Sequence, residues 1–121
     1  MEQPFEVWAD TEYGFVEQRV TGHLTEEHYD EMVRQTGKCA EKLGTLDEIR
    51  ILVWAGKGNK PGPKIRKKSM ERLQDPTLKK MALWDAGAVM RTFFKFISIA
   101  SGSTKARAFA TREKAINWLT R

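Results

Sequence analysis

Residues Ile49–Ala55, with the sequence IRILVWA, form a short and continuous apolar run. Runs of this kind are typical of strands that are buried on both faces, which occur mainly in parallel sheets. The next nine residues, GKGNKPGPK, are rich in glycine, proline and lysine, and the basic segment IRKKSMERL follows them directly. We therefore predict a buried strand over 49–55, a loop, and then a helix near residues 64–74.

Strand and helix patterns alternate on both sides of this strand. Before it, two strand-like segments flank a polar turn at Asp10–Gly14, and a helix capped by Thr25 ends at Gly44. After it come MALWDA, AGAVMRTFFKFISIASG, KARAFA and REKAINWL, which predict a strand, a helix, a strand and a last helix capped by Thr111. The order ββαβαβαβα predicts an α/β fold with five strands and about four helices. The first strand is antiparallel to the second, and the rest are parallel.

The length and composition predict a single domain over residues 1–121. The chain has 121 residues, of which 31% are charged and 40% hydrophobic, as is ordinary for a globular protein. Cys39 is the single cysteine, so no intrachain disulfide can form, and we expect a reducing compartment, the cytoplasm. The start, MEQPFEVWAD, has no signal-like core, and the longest apolar segment, FFKFISIA, is short. We expect no membrane span.

The charges are divided unevenly along the chain. Residues 1–55 hold 5 basic and 12 acidic residues, residues 56–80 hold 9 and 2, and residues 81–121 hold 7 and 2. Such a division predicts an acidic end and a basic patch. The patch either steers an anionic partner or keeps the protein soluble.

Three segments resemble the SpoIIAA-like branch of the STAS superfamily, also labelled STAS/SEC14-like. They are VTGHLTEEHYDEM, KKMALWDAGAVMRTFFKF and KARAFATREKAINWL, in this order. The resemblance implies a small α/β domain whose helices lie mostly on one side of the sheet. Relatives in the wider superfamily act as binding modules and as phosphorylation-controlled regulators of bacterial transcription, and the lipid-transfer label implies apolar ligands for some of them.

One feature of the regulatory relatives is missing from this sequence. Their phosphorylated serine starts the helix after the third strand, which corresponds here to the region Pro61–Ile65. No Ser or Thr occurs between Ala55 and Lys68, and Ser69 lies inside the predicted helix. The resemblance therefore does not by itself imply a phosphorylation switch here, and the sequence leaves open whether one exists.

The glycine-lysine loop looks like a phosphate cradle but lacks its essential residues. A nucleoside triphosphate loop needs Gly-Lys followed by Ser or Thr, and backbone amides where this loop has prolines. What remains is a cationic loop at the carboxyl end of a strand, where open α/β sheets bind ligands. It is either a solvated crossover or a site for an anion or a partner, with candidate residues Lys57, Asn59, Lys60 and Lys64.

No catalytic or metal-binding constellation is evident. His23 and His28 lack a third ligand at matching spacing, and Cys39 has no histidine beside it in the sequence. No aromatic residue interleaves the cations of helix 64–74, as a reader of single-stranded nucleic acid would need. We predict no catalytic residue, metal or cofactor, and we do not favour nucleic acid as a partner.

Helix 86–101 carries an unusually wide apolar arc. The arc is either buried between the sheet and a neighbouring helix, or it forms a protein interface, or it roofs an apolar pocket. Asp85 and Gly87 join a strand end to the helix start, where amides and the helix dipole favour an anion. Arg91 lies one turn further, and Phe94 belongs to the apolar arc. These four residues are candidates for ligand or partner binding.

The tryptophans suggest a second surface. If strands alternate faces, Trp8, Trp54 and Trp84 fall on one common face of three neighbouring strands. Either helices cover these rings as ordinary core, or Trp54 and Trp84 form an interface for a homodimer or a ligand.

The leading hypothesis for function is a non-enzymatic binding or regulatory module. It would engage a partner protein, or a small apolar or anionic ligand, near loop 56–64 and the start of helix 86–101. The alternatives are a carrier of lipid or acyl ligands with an apolar pocket, and a small-molecule hydrolase or transferase.

Overall fold

The computed structural model describes residues 3–56 and 60–121 and confirms the predicted order of elements. The strands and helices are β1 (Phe5–Asp10), β2 (Phe15–Val20), α1 (Glu26–Leu43), β3 (Ile49–Ala55), α2 (Pro63–Leu73), β4 (Leu78–Trp84), α3 (Ala88–Ser101), β5 (Ala106–Phe109) and α4 (Arg112–Leu119).

The element boundaries differ from the sequence prediction by at most about two residues, apart from the start of β4. α3 begins at Ala88 and not at residue 86, because Gly87 is an extended N-cap, with φ −67° and ψ 169°. β4 begins at Leu78, three residues before MALWDA. The earlier start follows from a tight turn at Asp75, whose carboxylate accepts a hydrogen bond from the amide of Thr77 at 2.9 Å.

The five strands form one sheet in chain order, β1-β2-β3-β4-β5. β1 is antiparallel to β2, and each later pair is parallel, as predicted. The carboxyl ends of β2, β3 and β4 therefore lie at the same edge of the sheet, together with the loops that follow them.

The two faces of the sheet are covered unequally. Helices α1, α2 and α3 contribute to the larger core cluster, to which β3 adds Ile51 and Val53. The other face carries a small cluster in which Leu52 and Ala82 pack against α4, through Ala115 and Leu119. Three helices thus lie on one side and one on the other, as the resemblance implied.

The predicted helix caps are present. The side chain of Thr25 accepts a hydrogen bond from the amide of His28 at 3.1 Å, and the His28 ring accepts one from the amide of Thr25 at 3.2 Å. Thr111 caps α4 by accepting from the amide of Lys114 at 3.2 Å. Gly44 ends α1 in the left-handed conformation, with φ 72°, which glycine adopts at little cost.

Candidate functional site

An apolar cavity lies between the sheet and helices α1, α2 and α3. Its volume is about 80 Å³. Val53 and Ala55 line it from β3, and Phe94 lines it from α3. Lys60 and His23 line it from the loops that follow the carboxyl ends of β3 and β2. The cavity therefore reaches the edge of the sheet at which α/β proteins bind ligands.

One buried polar group of the cavity lining, Gln18, is satisfied by hydrogen bonds within the protein. The side-chain amide of Gln18 donates to the hydroxyl of Thr36 at 2.9 Å, and this hydroxyl donates to the carbonyl of Met32 at 2.8 Å. Burial raises the pKa of Tyr29 above its ordinary value, so the phenol stays neutral at physiological pH. The cavity is thus lined mainly by apolar surface, and its lining also includes the cationic side chains of Lys60 and Arg72.

The geometry brings together only some of the predicted ligand-binding residues. Lys60 and Phe94 both line the cavity. Lys64 points instead toward α1, where its ammonium group lies 3.4 Å from the carboxylate of Glu26. Lys57 and Asn59 lie outside the described residues.

The predicted residues around the start of α3 lie outside the cavity lining. Asp85 is exposed after β4 and has a positive φ of 49°, which aspartate tolerates better than most residues. Gly87 caps α3 without a side-chain hydrogen bond. Arg91 is exposed, and its amide donates to the carbonyl of Gly87 at 3.1 Å.

Sequence reasoning missed the contribution of β2 and α1 to the cavity. His23 and Leu24 line it from the β2–α1 loop, and Tyr29 lines it from the first turns of α1. One signal was present in the sequence. Gln18 is a polar residue within a mainly apolar strand, and a buried amide with hydrogen-bonding capacity often marks a cavity or a polar network.

The described residues offer no cluster that would hold a metal ion. No group of three or more His, Cys, Asp or Glu side chains converges in residues 3–56 and 60–121. What the cavity can do chemically is to bind an apolar group, since its lining is mainly apolar, while Lys60 adds a cationic side chain to that lining.

The tryptophans do share one face, which is the face that α4 covers in part. The rings of Trp54 and Trp84 lie 6.4 Å apart between centroids. The guanidinium of Arg19 lies 4.8 Å from the ring centre of Trp54, and that of Arg112 lies 5.7 Å from a ring of Trp84. We call these four side chains the tryptophan surface.

The prediction that the three tryptophans occupy neighbouring strands is wrong for Trp8. Strand β2 lies between β1 and β3, and Glu17 separates Trp8 from Leu52 in the register of the sheet. Trp8 is 39% exposed, whereas Trp54 and Trp84 are half-buried. Only Trp54 and Trp84 therefore form a continuous aromatic pair.

None of the helices in the described parts of the chain is both long enough and apolar enough to cross a bilayer.

A sheet in chain order, mostly parallel and with three of four helices on one face, is consistent with the STAS type of α/β domain. The chain belongs to the SpoIIAA-like family, whose sequence model matches residues 15–120. The search among curated proteins and the search among solved structures each found no match.

Proposed function

We propose that this protein is a non-enzymatic binding module that takes the short apolar end of a small anionic ligand into its cavity. The observation that carries this proposal is the position of the cavity at the carboxyl edge of the sheet, with Lys60 beside it. Membership of the SpoIIAA-like family supports a binding or regulatory role. The proposal includes the cytoplasm as the compartment, supported by the single cysteine.

The size of the cavity limits the ligand. The cavity volume is about 80 Å³. The volume is about half of the 150 Å³ at which an engineered cavity binds benzene. A short alkyl group fits this space, and a long acyl chain would require α2 and α3 to separate from the sheet.

The position of Lys60 supports the proposal that the part of the ligand outside the cavity is anionic. It is exposed and lines the cavity where the β3–α2 loop leaves the sheet. No carboxylate of the described residues forms an ion pair with it. A ligand carboxylate at this position would gain a charge-assisted contact while its alkyl group occupies the cavity.

The tryptophan surface supports a second candidate function, which is self-association or binding of a protein partner. Tryptophan and arginine are the side chains that contribute most often to binding energy at protein interfaces. Trp54 and Trp84 lie side by side there on a face that α4 covers only in part.

The test of the ligand proposal is a titration with short-chain carboxylates followed by NMR, together with native mass spectrometry of protein taken directly from cells. We expect the resonances of residues lining the cavity to shift. Lys60→Ala should weaken binding about fivefold, because an ion pair with an exposed lysine contributes at most about 1 kcal/mol. Lys64→Ala is the matched control, since Lys64 is a nearby exposed lysine that points toward Glu26. Equal losses in both variants, or no shift in the cavity, would contradict the proposal.

A further inference from the structure

A second depression in the surface lies at the edge of the sheet opposite to the cavity, where the parallel strands β4 and β5 begin. Its volume is about 540 Å³, which is within the usual range of ligand pockets. Ser103 lines it from the α3–β5 loop, and Trp118 lines it from α4. Four cationic side chains line it near the starts of the two strands: Lys79, Lys80, Lys105 and Arg107. We call this depression the amino-edge groove.

Hydrogen bonds hold the α3–β5 loop that forms one wall of the groove. Gly102 ends α3 in the left-handed conformation, with φ 67°, and the amide of Ser103 donates to the carbonyl of Ser98 at 3.1 Å. The amide of Lys105 donates to the hydroxyl oxygen of Ser103 at 3.1 Å, a contact that does not use the hydroxyl hydrogen. The loop therefore presents Ser103 and Lys105 to the groove in defined positions.

Two cations of the groove are held in position without a carboxylate partner. The ammonium group of Lys105 donates to the carbonyl of Asp75 at 2.9 Å, and the guanidinium of Arg107 lies 5.5 Å from the ring centre of Phe109. Within residues 3–56 and 60–121, no side-chain carboxylate forms an ion pair with Lys105 or Arg107. A carbonyl dipole and an aromatic ring orient a cation but leave its full charge in place.

Neighbouring cations add to the positive potential of the groove. Arg50 pairs with Lys80 in the register of β3 and β4, and its buried Nε has no hydrogen-bond partner in the described parts of the chain. Burial lowers the pKa of Lys80, and three nearby positive charges lower it further, those of Arg121, Arg50 and Lys79. The ammonium group of Lys79 lies 3.7 Å from the carboxylate of Glu48. This single exposed ion pair offsets only part of the positive charge.

We propose that the amino-edge groove binds a small phosphorylated ligand through its phosphate groups, with Lys105, Arg107 and the hydroxyl of Ser103 as donors. A phosphate group carries a charge near −2 and three strong acceptor oxygens, so it can engage an ammonium, a guanidinium and a hydroxyl at once. A carboxylate has one charge and two oxygens, and it would leave part of this donor set unused. The groove is separate from the cavity, which reaches the carboxyl edge of the sheet.

The aromatic rings near the groove favour a small ligand over a single-stranded nucleic acid. Proteins that bind single strands combine a cationic path with aromatic rings on which the bases stack. Trp118 is only 9% exposed, and the guanidinium of Arg107 covers the ring of Phe109. The groove therefore offers contacts for phosphate groups and no open ring for a base.

The test is a titration of the full chain with pyrophosphate at low ionic strength, followed by NMR. We expect the resonances of residues 103–107 to shift, and we expect high salt to weaken the binding. Inorganic phosphate should bind more weakly than pyrophosphate, because it carries fewer charges and oxygens. Acetate at the same concentration should leave these resonances unchanged.

Matched variants separate the groove from general effects of charge. Arg107 is exposed, so Arg107→Gln should stay folded and should weaken pyrophosphate binding about fivefold. Lys105→Gln should have an effect of similar size, and the double variant should bind more weakly than either single variant. Arg66→Gln and Lys67→Gln make the same changes of charge at exposed positions on α2, and they should leave binding nearly unchanged.

Three results would overturn the inference. They are the absence of shifts at residues 103–107 with pyrophosphate, equal losses in Arg107→Gln and Arg66→Gln, and binding of a single-stranded oligonucleotide that exceeds pyrophosphate binding and depends on Arg107. Lys60→Ala should leave pyrophosphate binding unchanged, and Arg107→Gln should leave the binding of short-chain carboxylates unchanged. The failure of this proposal can therefore be distinguished from the failure of the proposed function of the cavity.

Discussion

The carboxylate of Glu17 accepts two hydrogen bonds from the guanidinium of Arg112, at 2.5 and 2.9 Å, across 95 residues of chain. Glu17 lies in β2 and is only 5% exposed, whereas Arg112 begins α4 and remains partly in contact with water. This bidentate pair fixes the last helix to the second strand. The hydrogen bonds that Arg112 donates to Glu17 also raise the pKa of Arg112 above its ordinary value.

The first prediction is that Arg112→Ala lowers the free energy of unfolding by about 2 to 3 kcal/mol, because it leaves the Glu17 carboxylate buried and unpaired. Arg107→Ala is the control. Arg107 stacks on Phe109 at 5.5 Å and is exposed, so its loss should cost at most about 0.5 kcal/mol. Urea denaturation measures both. Combining Arg112→Ala with Glu17→Gln should recover part of the loss, and no recovery would contradict this account.

The second prediction concerns stability in acid. Hydrogen bonds from the side chain and the backbone of Thr77 hold the pKa of Asp75 below its usual value. The stability that this carboxylate contributes is therefore present above its ordinary pKa of about 4 and is lost as the pH falls through its lower, folded value. Asp75→Asn should cost about 1 kcal/mol at pH 7.

The difference in unfolding free energy between Asp75→Asn and the wild type should shrink as the pH falls below about 4. Denaturant titrations over a pH series measure this. Asp47→Asn, in the exposed loop before β3, is the control and should show a smaller change at pH 7. A constant difference for Asp75→Asn at every pH would argue against the assignment.

The third prediction compares two glycines whose replacement by alanine should change the stability of the protein in opposite directions. Gly44 has φ 72°, so Gly44→Ala should lower stability by about 1 kcal/mol through backbone strain. Gly37 lies within α1, and a Cβ there would have no neighbour within 4 Å. Gly37→Ala should therefore raise stability by roughly 0.5 to 1 kcal/mol. Thermal unfolding of the two variants should show shifts of opposite sign, and shifts of the same sign would be inconsistent with these backbone conformations.

The fourth prediction tests the tryptophan surface. Trp54→Ala should weaken self-association in sedimentation experiments while leaving the monomer folded, because it removes half of the aromatic pair with Trp84. Trp8→Ala should have a smaller effect, since β2 separates Trp8 from this pair. An unfolded Trp54→Ala variant, or a wild type that stays monomeric and without ligand at high concentration, would refute the prediction.

The sequence predicted local structure more fully than it predicted which strands and side chains lie next to each other in the fold. The apolar run at Ile49–Ala55 and the caps at Thr25 and Thr111 depend on nearby residues, and each lies where it was expected. The alternation of strand faces correctly grouped Trp54 with Trp84. It could not show that β2 separates Trp8 from them, because alternation within a strand contains no information about strand order.

The candidate site was predicted only in part for the same reason. Lys60 and Phe94 were found because each lies near a strand end or on an apolar helix face. His23 and Tyr29 were missed because their proximity to Lys60 depends on how the β2–α1 and β3–α2 loops meet at the edge of the sheet. The apolar arc of α3 likewise did not show which of its side chains are buried. Phe94 is buried and Phe96 is exposed because of how α3 packs against β5 and α2.

Because the strands lie in the sheet in the order in which they are synthesised, each new strand can pair with the one that left the ribosome just before it. The sheet can therefore grow from one edge, and the face that carries α1, α2 and α3 can be covered progressively. The other face is covered later, because Leu52 and Ala82 remain uncovered until residues 112–119, which form α4, have emerged. For a nascent chain, the Glu17–Arg112 contact is then a late, long-range event that marks the completion of folding.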